Sequence, residues 1–149
     1  MDYLLQEGRV TLPATFQDRS VNMFIPGSTV PASFSLTVAR DTTLPGEVLS
    51  DYIDRQVGLI AAKLRKFKRQ STRDALLGAQ SALPGLQVDA HYQSDGQTIY
   101  QRQAVFLIST DRALVFSGTS KSPFDDQLNQ LWADVLASFQ PHSSAPTTP

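Results

Sequence analysis

The chain contains no cysteine. That excludes disulfides, thiolate metal sites and cysteine nucleophiles, and it suits a reducing compartment. Histidine is scarce, with only His91 and His142. No His-x-x-x-His pair, EF-hand loop, Walker loop or Gly-x-Ser-x-Gly elbow occurs, so no metal, nucleotide or hydrolase signature is present. Charge of either sign is modest: 13 Lys and Arg against 14 Asp and Glu leave a net charge of -1. Such a balance calls for neither nucleic acid nor an acidic membrane surface. Long apolar runs are also missing. The longest, Ala104 to Ile108, is far shorter than a membrane span. The opening eight residues, Met1 to Gly8, have no basic stretch and no apolar core, unlike a secretory signal. A soluble chain is expected, cytoplasmic in a bacterium, with no direct insertion into a membrane.

What is present is a 149-residue chain with 41% hydrophobic residues, enough for one domain with a real core. That domain is expected over 1–140, followed by a disordered Pro- and Ser-rich tail over 141–149. Strands are predicted over 3–12 (bent at Gly8), 19–25 and 33–40, with Pro26-Gly27 and Pro31 marking the second loop. Leu49, Ile53, Val57, Ile60, Leu64 and Phe67 recur at spacings of three and four, which predicts one long helix capped by Thr43. Acidic residues lie early in it and Lys63, Lys66, Lys68 and Arg69 late, matching the helix dipole. Four more strands follow, over 71–79, 86–93, 98–109 and 113–120. Pro84-Gly85, Ser94-Asp95-Gly96 and Asp111-Arg112 read as the turns of an antiparallel meander. A last helix begins at Ser122-Pro123-Phe124-Asp125 and buries Leu128, Leu131, Trp132, Val135, Leu136 and Phe139. The order β-β-β-α-β-β-β-β-α describes an α+β fold with two helices on a mostly antiparallel sheet.

Candidate chemistry is sparse. Asp89, His91 and Gln93 share a strand face, so an enzyme or small-ligand domain using a pocket near Asp89 and His91 is one alternative, although no third orienting group is evident. Residues 117–122, Ser-Gly-Thr-Ser-Lys-Ser, precede the last helix and could meet a phosphate, but they also read as a turn and cap. The cluster of Lys63, Arg65, Lys66, Lys68, Arg69 and Arg73 lacks interleaved aromatic platforms, which argues against nucleic acid.

One surface stands apart. In the strand 33–40, Phe34, Leu36 and Val38 form a core-like face. Ser33, Ser35, Thr37 and Ala39 form the other, which is small, smooth and uncharged. An ordinary solvated strand face carries Lys, Glu or Arg. If Phe24 joins the core, Met23 and Ile25 lie beside that smooth face. Ile99, Gln101, Gln103 and Val105 share a face of a later strand, and Gln56 and Ile60 lie one turn apart on the long helix. Such a surface suits close approach by another backbone, and methionine packs adaptably against varied partners. The plain alternative is that the protein's own helices cover it.

The opening Asp2-Tyr-Leu-Leu-Gln-Glu-Gly-Arg-Val-Thr-Leu-Pro13 and Asp18-Arg-Ser-Val-Asn-Met-Phe24 resemble the Eag chaperones, the effector-associated proteins of bacterial type VI secretion. The resemblance extends to Phe139 and is strongest with the member that serves a PAAR-domain toxin. It implies a fold similar to Mog1 and PsbP, an α/β/α sandwich. It also implies a non-enzymatic homodimer, using no cofactor, that shields the apolar N-terminal helices of its effector and helps load it onto the secretion spike. Carried onto this sequence, the groove would comprise Met23, Ile25, Ser35, Thr37, Ala39, Gln56, Ile60, Leu64, Ile99, Gln101 and Gln103.

Overall fold

The computed structural model describes residues 1–27, 34–80 and 82–142. Ser33, Pro31 and the tail from residue 143 therefore lie outside the described residues. Ten elements follow one another: β1 (Asp2–Leu4), β2 (Arg9–Thr11), β3 (Val21–Phe24), β4 (Phe34–Thr42), α1 (Leu49–Ala61), β5 (Arg65–Leu77), β6 (Leu83–Ser94), β7 (Gln97–Leu107), β8 (Arg112–Ser120) and α2 (Asp126–Ala137). The first two make a separate hairpin. The other six form one antiparallel sheet in the order β3-β4-β8-β7-β6-β5. The expected α+β fold with a mostly antiparallel sheet is what the chain adopts.

The two helices lie on opposite faces of the sheet, as the alternation within β7 shows. Ala104 and Phe106 are buried with Trp132 and Leu136 of α2, whereas Val105 is buried with Tyr52, Ile53 and Val57 of α1. Gly118 of β8 opens space on the α2 face. A methyl group there would meet Trp132 at 3.1 Å, Phe34 at 3.2 Å and Phe124 at 3.3 Å.

Several expected boundaries move. The opening strand is instead a hairpin of two three-residue strands, closed where the Leu5 N–H donates to the Gly8 carbonyl. The long helix ends at Ala61, so Leu64 lies in a turn and Phe67, Lys66, Lys68 and Arg69 stand on β5. No basic residue lies in the last turn of α1, and its N-cap position is Val48, which makes no side-chain cap. Thr43 is buried instead. Pro84-Gly85 is not a turn but part of β6. The predicted Asp95-Gly96 turn does hold: both residues have positive φ, at 51° and 75°, between strands ending at Ser94 and starting at Gln97. That is the backbone a two-residue hairpin loop requires. The cap of α2 is Asp125, whose carboxylate accepts from the Leu128 N–H at 2.9 Å. On α2, Trp132 and Leu136 are buried, while Leu131 is 42% exposed.

Candidate functional site

Side chains directly opposite one another in an antiparallel sheet share a face. The register therefore lays out the α1 side of the sheet in rows. One row runs Met23, Thr37, Ser117, Gln103, Val88. A second runs Ser35, Thr119, Gln101, Ala90, and a third Val21, Ala39, Val115, Val105, Leu86. Helix α1 covers the Val88, Val105 and Ala113 end of this surface. Ser35, Thr37, Ala39, Ser117, Thr119, Gln101 and Gln103 stay half-exposed, and Met23 at the rim is 69% exposed.

Between the edge of α1 and these strands lies a cleft of about 330 Å³. Gln56 and Ile60 line it from the helix, and Ala39, Ser117 and Gln103 from the sheet. Among the described residues, Ser35, Thr37, Ser117, Thr119, Gln101 and Gln103 make no side-chain hydrogen bonds within the protein. The surface thus offers hydroxyls and amides with open bonding capacity on a small, uncharged floor.

Most residues expected from sequence converge here. Met23, Ser35, Thr37, Ala39, Gln101 and Gln103 share the face by register, Gln56 and Ile60 border it, and Ile99 continues β7 two residues beyond Gln101. Two do not join. Ile25 lies past the end of β3 and lines a separate apolar cavity of about 200 Å³ with Phe24, Pro26, Phe34, Leu36 and Trp132. Leu64 sits in the turn after α1, where its N–H donates to the Ile60 carbonyl. Ser117 and Thr119 were missed, although their alternation along β8 is visible in sequence.

The competing sites are disarmed by their neighbours. Asp89 accepts from Arg102 at 2.8 and 3.2 Å and from Arg73 at 3.2 Å. Its carboxylate is engaged by guanidinium groups and not by His91, which packs at an angle against Tyr100. Arg102 is itself buried, stacks on Phe124 and donates to Asn129 of α2. The segment 117–120 belongs to β8, and the N-terminus of α2 is already occupied by the Asp125 carboxylate, which would repel a phosphate. Of the basic cluster, Arg69 pairs with Asp54 and Arg73 with Asp89, Arg65, Lys66 and Lys68 dress the edge strand β5, and Lys63 lies in the turn before it. No group of three or more His, Asp or Glu among the described residues could hold a metal. No described helix is long and apolar enough to cross a membrane.

The start of α1 is held by charge. Arg55 donates twice to Glu47, each at 2.8 Å, and the Leu44 N–H donates at 3.0 Å. The Arg55 hydrogen bonds, foremost, hold the Glu47 carboxyl down at about 2, against an ordinary value of 4.5. A lowered folded pKa means stability that is complete above the unfolded value and is lost as pH falls through the folded one. Wild type should therefore melt above Glu47→Gln at pH 7. That gap should narrow as pH drops from about 4.5 toward 2, as thermal unfolding at stepped pH would record. Nearby, burial and then the Asp41 carboxylate push the Tyr52 phenol up, so it stays a hydrogen-bond donor.

The DcrB family matches residues 7–138. The chain belongs to the DcrB family. This DcrB-family chain is also 26% identical over 140 residues to the Pseudomonas aeruginosa protein described as Effector EagT6, covering 93% of this chain and 94% of that protein. The expected kinship with the Eag proteins is thereby met. A solved structure from Pseudomonas aeruginosa, PA94, a protein of unknown function, superposes with a TM-score of 0.74. It is 23% identical and covers 97% of this chain and 98% of its own, a likeness of fold alone.

Proposed function

We propose that this chain is a non-enzymatic chaperone of a type VI secretion effector. In this reading, residues 1–140 act as one domain that binds and shields the effector's apolar N-terminal helices in the cytoplasm and promotes loading onto the secretion spike. The partner is a PAAR-containing toxin, and the working form is a homodimer. Kinship with EagT6 supports the role. The observation that carries it is the part of the sheet's α1 side that the helix leaves open, where small and polar side chains, with no side-chain hydrogen bonds among the described residues, lie beside an exposed methionine.

The physics favours an apolar helix as occupant. Such a helix in water exposes area that costs on the order of 25 cal/mol per Å². A floor of Ser, Thr and Ala lets a helix backbone approach closely, as small residues do between membrane helices. Free hydroxyls and glutamine amides satisfy the occasional polar group that such a helix carries, so none is buried unpaired.

Co-expression with a PAAR-containing toxin that carries apolar N-terminal helices tests the proposal. The tagged chain should co-purify with the intact toxin and lose it when the apolar N-terminal helices are deleted. Retention of the helix-deleted toxin at the intact level would overturn the assignment.

A further inference from the structure

At one end of the cleft, the Asp41 carboxylate gathers donors from three parts of the chain. It accepts from Arg19 at 2.9 Å, from the Tyr52 hydroxyl at 2.7 Å, from Gln56 Nε2 at 3.4 Å and from the Thr42 N–H at 2.8 Å. Its side chain is only 21% exposed. An ionised carboxylate accepts and never donates. The Gln56 amide must therefore turn its NH2 toward Asp41, and its planar geometry then aims Oε1 away from it. Asp41 and Gln56 line the same cleft as Gln103 and Ser117.

We propose that Asp41 is a positioning residue for Gln56. It orients the amide so that the groove presents a carbonyl acceptor to its occupant. Arg19 and Tyr52 hold the carboxylate in place for that task. The feature read there is a hydrogen-bond donor, a hydroxyl or amide N–H, on an otherwise apolar helix. Interior backbone N–H groups of a helix are already bonded within it, so the donor is a side chain or lies in the first turn. This inference rests on the chaperone reading above.

Two measurements test it on the full chain. In the free protein, Asp41→Asn places a donor opposite the Gln56 NH2 and should shift the Gln56 side-chain amide signals in an NMR spectrum. The second is a mutant cycle on binding of the toxin's N-terminal segment, with each variant first checked for folding by thermal unfolding. Asp41→Asn and Gln56→Leu should each weaken binding about tenfold, and the double variant no more than either alone. Losses that multiply to about a hundredfold would show that Asp41 acts independently of Gln56 and would overturn the proposal. So would unmoved Gln56 amide signals, or wild-type binding by Gln56→Leu. Failure of the groove reading is distinct: folded Thr37→Arg would then bind the toxin as wild type does.

Discussion

Thr37→Arg is expected to abolish effector capture while leaving the fold standing. Thr37 sits mid-row on β4, between Met23 on one side and Ser117 on the other. It is half-exposed, lies on the face that α1 leaves open, and among the described residues has no side-chain hydrogen bond to lose. The longer side chain can reach water in the free protein, so the unfolding midpoint should stay within about 2 °C of wild type, as for surface substitutions generally. With a helix docked, the guanidinium would be trapped against apolar side chains without a partner. An unpaired buried charge costs several kcal/mol, which corresponds to roughly a hundredfold or greater loss of affinity. Pull-down of the toxin segment, set beside a thermal scan, decides the matter. Full retention by a folded variant would remove the groove from this face. Met23→Asp should act in the same direction but more weakly, because Met23 lies on the edge strand and is 69% exposed.

The face itself was legible in the sequence because a strand alternates its side chains with period two whatever surrounds it. Phe34, Leu36 and Val38 had to part from Ser35, Thr37 and Ala39 once the segment was a strand. The end of α1 was not legible. Leu64 and Phe67 continue the helical spacing by coincidence, and Lys66, Lys68 and Arg69 are good helix formers. On the edge strand β5 such cations block pairing with other chains, and that protection looks like a helix end in one dimension. Ile25 was misplaced because β3 stops one residue earlier, so the alternation had nothing to act on. The link from Asp41 to Gln56 spans β4 and α1, and only the packing of α1 on the sheet brings the pair together. Pro84-Gly85 misled for a different reason: the dipeptide punctuates turns, yet here the glycine serves packing.

That glycine carries the largest expected effect on stability. Gly85 is buried in β6 opposite Ala75 of β5. A methyl group there would lie 2.3 Å from the Val105 carbonyl oxygen and 2.4 Å from the Phe106 ring. Phe106 is fully buried and stacks edge-on against Phe116, so the ring has nowhere to go. The carbonyl belongs to β7, so relief requires moving one strand against its neighbour. Overpacking of this kind costs up to about 3 kcal/mol, which for a chain of this size lowers the midpoint by about 10 °C. The same substitution at Gly58 is the control. Nothing lies within 4 Å of its added methyl group, and alanine favours the helix, so Gly58→Ala should stabilise by up to about 1 kcal/mol. Opposite signs for one chemical change would separate steric contact from any general effect of replacing glycine. A Gly85→Ala midpoint within a degree of wild type would refute the clash. Adding Phe106→Leu to Gly85→Ala should not restore stability, because the carbonyl contact persists and the smaller side chain leaves a cavity in the core.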